Sequence, residues 1–88
     1  MNEMLTKPHY FAMGKGMQWG KDDIDTILGD AGFRYVQLSA IWCRGRIFVF
    51  VDNGYTVIYR GCEVIFRKDL PVDSGEFMEV LARAELKG

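Results

Sequence analysis

Three arginines, Arg44, Arg46 and Arg60, are the side chains of this 88-residue sequence best suited to binding another molecule. A guanidinium group presents a planar fork of N–H donors that pairs bidentately with a phosphate or a carboxylate. Each of the three lies beside a glycine that separates two β-rich runs, so a hairpin sheet would bring them to one end. Arginines at sheet edges also serve solubility, and the sequence leaves both roles open.

A glycine-containing segment, Gly16 to Gly20, precedes the first helical pattern in the manner of a phosphate-binding loop. The spacing between its glycines is one residue too short, and Asp22 stands where a Ser or Thr would hold magnesium. The carboxylates of Asp22, Asp23 and Asp25 would also repel a phosphate at that helix start. First-turn carboxylates are explained by the helix dipole, so we predict a structural loop without a bound phosphate or cation.

Catalytic and metal-ligating residues are few. His9 is the single histidine, and it forms no metal-ligand spacing with Cys43 or Cys62. Neither cysteine has a base near it in the sequence that would activate it as a nucleophile. The sequence therefore predicts a protein that is not an enzyme and that uses no metal and no cofactor.

Composition indicates one globular domain over residues 1–88. Apolar residues make up 49% and charged residues 26%, which is typical of a folded chain rather than a disordered one. No apolar run approaches the roughly 20 residues that span a bilayer. The N-terminus lacks the charged-then-apolar order of a signal peptide, which predicts a cytoplasmic protein.

Charge is unevenly distributed along the chain. Residues 34–68 contain six basic and two acidic side chains, whereas the remainder contains five basic and ten acidic ones. The middle of the chain is therefore basic and its two flanks are acidic. The net charge of −1 lacks the large positive excess of a protein dedicated to coating DNA.

Two amphipathic helices are predicted. The first begins at Asp22 and ends at Gly32, where a left-handed C-terminal residue is expected. The second opens with a capping box formed by Asp73 and Glu76. Their apolar stripes are Ile24, Ile27, Leu28 and Ala31 in the first helix, and Phe77, Val80, Leu81 and Ala84 in the second.

β-rich runs between the helices predict four strands, over residues 34–42, 47–51, 55–60 and 62–67. Short turns join them, so we expect a four-stranded antiparallel meander with one helix before it and one after it. Residues 9–13 are a candidate for an additional N-terminal edge strand. The predicted fold class is α+β.

The dipeptide Asn53-Gly54 is the strongest local signal, since Asn-Gly between β-rich runs favours a two-residue type I′ hairpin. This turn fixes the register of the two strands that it joins. Because side chains alternate between the faces of a sheet, the register sorts them into two sets. One set, which we call the aromatic face, consists of Phe48, Phe50, Tyr55, Val57 and Tyr59, with Asp52 opposite Tyr55.

The opposite face is predicted to be aliphatic and to receive both helices. The same hairpin assigns to it Ile47, Val49, Val51, Thr56 and Ile58. Treating Arg44-Gly45 as a second two-residue turn adds Leu38, Ala40 and Trp42 to this face. That second turn also adds Gln37, Ser39 and Ile41 to the aromatic face.

The aromatic face is too apolar to be left in water, and large apolar patches of this kind mark interaction sites. Three occupants are consistent with the sequence: residues 8–19 of the same chain, a second copy of the chain, or a different partner. Residues 8–19 contain apolar side chains suited to such a cover, namely Tyr10, Phe11, Met13, Met17 and Trp19.

Two functions fit these features. The first is a non-catalytic protein-interaction module that binds another protein, or a second copy of itself, through the rings of the aromatic face and the three arginines. Phage-encoded inhibitors of host or defence machinery are often small proteins of this type. The second is a nucleic-acid-binding domain in which bases stack on sheet aromatics and phosphates pair with the arginines and Arg67. Neither hypothesis requires a membrane.

Overall fold

The computed structural model describes residues 17–87 of the chain. The predicted edge strand at residues 9–13 and the histidine His9 lie outside the described residues. Within them the elements in chain order are β1 (Gln18–Trp19), α1 (Lys21–Asp30), β2 (Arg34–Val36), β3 (Ile41–Arg44), β4 (Ile47–Val51), β5 (Tyr55–Arg60), β6 (Glu63–Asp69), β7 (Val72–Asp73) and α2 (Ser74–Lys87).

The main sheet has five antiparallel strands in the order β2-β3-β4-β5-β6, and β1 pairs with β7 in a separate two-stranded sheet. The predicted α+β class is confirmed, but the strand count differs from the four predicted. Residues 34–42, read as one strand, form β2 and the start of β3 with a turn over 37–40 between them. In this turn Ala40 takes a φ of 57°, and its backbone N–H donates to the Val36 carbonyl at 2.8 Å.

This turn changes four side-chain assignments. Gln37 and Ser39 were predicted on the aromatic face, and Leu38 and Ala40 on the opposite one, but all four lie in the turn. Leu38 is fully exposed. The segment contains no Gly, Pro, Asn or Asp, and Ser39, its one residue of a turn-forming type, is a weak signal by itself.

The register predicted from Asn53-Gly54 is confirmed. Phe50 pairs with Val57 and Phe48 pairs with Tyr59. The predicted type I′ turn is wrong, because neither Asn53 nor Gly54 has φ in the left-handed region. The turn is closed by a side chain instead: Oδ1 of Asp52 accepts the backbone N–H groups of Gly54 at 2.8 Å and Tyr55 at 3.0 Å.

The Asp52 turn makes stability depend on pH. The backbone N–H groups of Gly54 and Tyr55 lower the pKa of the Asp52 carboxyl from its ordinary value of 3.8, and Gly54 has the larger effect. A lowered pKa in the folded state means that the stabilisation is fully present above 3.8 and is lost as the pH falls through the folded value. Asp52→Asn should therefore lower the midpoint of thermal unfolding at pH 7, and the gap from the wild type should narrow below about pH 4. A gap that is constant from pH 7 to pH 3 would contradict this role.

The other two hairpins turn on glycines. Gly45 and Gly61 have φ of 62° and 66°, which suits the first central residue of a type II′ turn. The turns are thus Gly45-Arg46 and Gly61-Cys62, one residue later than the Arg44-Gly45 and Arg60-Gly61 turns considered from the sequence. When a two-residue turn moves by one residue, each residue's partner on the neighbouring strand moves by two positions. Because side chains alternate with a period of two, each side chain keeps its face.

Both helices pack on the aliphatic face, as predicted. The first ends at a left-handed glycine: Gly32 has a φ of 91°, and the Phe33 N–H donates to the Leu28 carbonyl at 3.0 Å. The second is capped by Asp73, whose Oδ2 accepts the Glu76 N–H at 3.0 Å. The core contains Trp19, Ile24, Ile27, Leu28, Phe33, Ile47, Val49, Val51, Ile58, Val72, Phe77, Leu81 and Ala84.

The described part of the N-terminal segment joins this core rather than the aromatic face. Trp19 is 8% exposed and packs edge-on against Phe77 with ring centroids 6.0 Å apart. Met17 is held by its backbone, which donates to Ser74 Oγ at 3.2 Å and accepts the Ser74 N–H at 2.8 Å. Trp19 and Met17, two of the side chains considered as a cover for the aromatic face, therefore lie at the helix side of the sheet.

Candidate interaction surface

The aromatic face extends over all five strands of the main sheet. Strand pairing places two rows of side chains across it, which are Val36, Ile41, Phe50, Val57 and Arg67, and then Arg34, Cys43, Phe48, Tyr59 and Val64. Asp69 pairs with Tyr55 at the end of the face near the Asp52 turn. Arg34 and Arg67 therefore lie on opposite edge strands, with rings and aliphatic groups between them.

Neither of the two described helices covers this face. The apolar core contains the alternate residues of β4 and β5, such as Val49 and Ile58, and contains no ring of the aromatic face. The four rings are half-buried, while the smaller Val57 between them is 6% exposed. At the edges Val64 is 53% exposed and Val36 is 36% exposed. Within residues 17–87 the face thus consists of half-buried rings around a buried valine, with exposed valines at its edges, and its rings are outside the helix-packed core.

Tyr55 links the rings to charged groups at one end of the face. Its ring centroid lies 5.6 Å from that of Phe50, in a tilted arrangement. The Arg67 guanidinium carbon lies 4.6 Å from the Tyr55 centroid, within the range of a cation–π contact. Nη1 of Arg67 also lies 3.7 Å from Oδ1 of Asp69. The charge on this arginine is therefore partly balanced on the face itself.

The three arginines lie at one end of the sheet, as the predicted register requires, but they do not share a face. Ile47 pairs with Arg44 on one side and with Arg60 on the other, so the three residues share one face of the sheet. Because Ile47 belongs to the core, this is the face on which the helices pack. Arg60 is half-buried there. Arg46 is exposed in the β3–β4 turn, where its carbonyl accepts the Gly61 N–H at 2.8 Å.

Arg44 is held by contacts within the molecule. Its Nη1 donates to the Ala31 carbonyl at 2.6 Å, at the C-terminal end of α1, where a positive charge is favoured. Its Nη2 pairs with Glu85 of α2 at 3.0 Å, and its guanidinium lies 5.5 Å from the Phe33 ring centroid. This arginine joins the two helices to the sheet.

Asp25 also has a structural environment. Its two carboxylate oxygens accept Trp42 Nε1 at 3.0 Å and Lys21 Nζ at 2.7 Å, and the latter hydrogen bond raises the pKa of Lys21. Asp23 accepts the Gly20 N–H at 3.1 Å at the start of α1. In residues 17–87 no group of three or more His, Cys, Asp and Glu side chains is arranged to hold a metal ion.

Sequence reasoning did not place Arg34 on the aromatic face, nor did it place Val36 and Val64 at its edges. The face of Arg34 depends on the pairing of β2 with β3, which the unrecognised turn at 37–40 determines. Val64 pairs with Tyr59 next to the Gly61-Cys62 turn, which therefore sets its face. The irregularity in the β5–β6 register between Ile58 and Tyr59 lies beyond Val64 and decides the face of Arg67, which a period-two pattern does not reveal.

Comparison with known proteins found no match: no protein family, no curated protein and no solved structure is significantly similar to this chain. Neither of the two helices described has the length and apolar character needed to span a bilayer.

Proposed function

We propose that this protein is a non-catalytic protein-interaction module that binds its partner through the aromatic face. The observation that carries the proposal is a five-stranded sheet with both described helices on one side and rings on the other. An antiparallel sheet commonly exposes one face to solvent, but such a face is normally polar. Here the residues at its centre are Phe48, Phe50 and Val57, with tyrosines beside them.

The residue types support protein binding. Aromatic side chains and arginine dominate the energy of protein interfaces, whereas Lys and Glu are depleted from their centres. The aromatic face has four rings at its centre and arginines at its two edge strands, Arg34 and Arg67. Of the three arginines expected from the sequence to contribute, the exposed Arg46 is the one proposed to contact the partner.

Charge favours a protein over a nucleic acid. Arg34, Arg46 and Arg67 at the edges and end of the aromatic face are accompanied by Asp52 and Asp69, so the excess of positive charge there is small. Phosphate binding requires several unpaired cations, and Arg44 is engaged with Glu85 and a helix carbonyl. An inhibitor that masks a surface of another protein is one role that this face would suit.

Site-specific photo-cross-linking in the cells that encode the protein tests this function. A photoreactive phenylalanine analogue at position 50 should give covalent adducts with protein on irradiation. The same analogue at position 79 is the control, because Glu79 is 66% exposed on α2, on the other side of the sheet. Adducts that depend on position 50 support the module. Nuclease-sensitive adducts would favour nucleic acid, and the absence of adducts would contradict binding through this face.

A further inference from the structure

We infer that the partner of the aromatic face is a second copy of this chain, packed face to face with its strands running in the opposite direction. The inference rests on the proposed function and names the occupant of the same surface. It follows from the charges at the two ends of the central strand. Arg46 immediately precedes β4 and Asp52 immediately follows it.

Both charges lie just beyond the two ends of β4. Positions 46 and 52 have the same alternation as Phe48 and Phe50, so they belong with the aromatic face. Arg46 is exposed. Backbone N–H donors lower the pKa of the Asp52 carboxyl, which favours its ionised form. Each copy thus has a cation at one end of its central strand and an anion at the other.

A two-fold axis in the plane between the sheets, perpendicular to the strands, makes this arrangement self-complementary. It places Arg46 of each copy opposite Asp52 of the other and brings Phe48 over Phe50 of the other copy. Such an interface is isologous, so each contact occurs twice. Sheets that pack in this aligned manner lie about 10 Å apart at an angle of about 30°. A two-fold axis along the strands would instead give parallel strands and would place Arg46 opposite Arg46 and Asp52 opposite Asp52.

The size of the face sets the strength of the association. Five strands about 4.8 Å apart, each roughly five residues long at about 3.4 Å per residue, give a footprint of about 400 Å². Two copies would bury about 800 Å² of footprint in total, which is below the roughly 1,200 Å² of stable specific interfaces and in the range of weak, transient ones. The expected dimer is therefore reversible, with a Kd of about 1–100 µM rather than in the nanomolar range.

Analytical ultracentrifugation of the full chain, over about 1–500 µM, is the first test. The wild type should pass from monomer to dimer, and Phe50→Asp should remain a monomer, with its fold checked by circular dichroism. A wild type that is monomeric throughout would overturn the inference. So would a Phe50→Asp variant that dimerises like the wild type, because another surface would then be responsible.

Charge reversals at the two ends of β4 test the antiparallel arrangement. Arg46→Asp places an anion opposite Asp52 of the other copy, and Asp52→Lys places a cation opposite Arg46. Asp52→Asn, which removes the charge without reversing it, is the control for the change in the turn that Asp52 closes, and circular dichroism checks the fold of each variant. Each reversal alone should dimerise about tenfold more weakly, because each change acts twice across the axis. An equimolar mixture should recover the affinity, since the mixed dimer opposes unlike charges at both ends. A mixture as weak as its components would overturn the arrangement; Glu79→Lys is the control.

The two proposals fail in distinguishable ways. If the wild type is monomeric and position 50 cross-links to a different protein, the inference of a dimer is wrong and the proposed interaction module is supported. A cross-link from position 50 to residues 1–16 of the same chain would overturn both, because the face would then be covered internally.

Discussion

Phe77→Ala is expected to destabilise the protein by about 3–5 kcal/mol, the cost of removing a fully buried aromatic side chain. Phe77 is 0% exposed and lies between two other rings, with centroids 6.0 Å from Trp19 and 6.4 Å from Phe66. For a domain of this size the thermal midpoint should fall by about 12–40 °C. Because small domains have only about 5–15 kcal/mol of stability, a large part of it would be lost.

Phe48→Ala provides the matched control, since it is the same chemical change on the other face of the sheet. Phe48 is half-buried and outside the core, so its truncation should cost only about 1–2 kcal/mol. Urea denaturation of both variants measures the difference. Equal losses would mean that the aromatic face is itself a packed core, and the proposed interaction surface would then be wrong.

Trp19→Ala is the second change with a large expected effect, about 3–5 kcal/mol. The β1 strand has two residues, and its pairing with β7 contributes few hydrogen bonds. Its attachment therefore depends on the buried indole of Trp19 and on the Met17 backbone bonds to Ser74. Denaturation followed by circular dichroism measures the loss, which avoids relying on the fluorescence of the deleted residue.

Met17→Ala is the control for this segment. The Met17 side chain is 40% exposed, whereas its backbone makes the bonds to Ser74, so truncation should cost less than about 1 kcal/mol. If Trp19→Ala and Met17→Ala were equally mild, the segment before α1 would contribute little to the fold. The position of Trp19 in the core would then be unimportant for stability.

Much of the fold could be predicted because its signals are local. The Gly32 helix end and the Asp73 cap depend on residues within one turn of the helix, and both are present in the structure. The pairing of β4 with β5 was correct even though the turn type was wrong. The spacing of the two β-rich runs already limits the register, and the Asp52 side chain closes the loop in place of left-handed residues.

The remaining features depend on contacts between distant segments. The pairing of β1 with β7 involves two residues on each side, too few for a periodic pattern. The contacts of Arg44 with Ala31 and Glu85 arise only when both helices are docked, so its sequence position indicated clustering but not this use. The aromatic face was predictable because it needs only one correct register, whereas its edges needed the β2–β3 turn as well.

The strand order also has a consequence for how the chain folds. Every strand of the main sheet pairs with its neighbour in sequence, so the hairpins can form with short loop closures. The β1–β7 pair is different, because it joins the beginning of the described chain to a strand directly before α2. The meander is therefore expected to form early in folding, and the joining of the two distant ends to complete it.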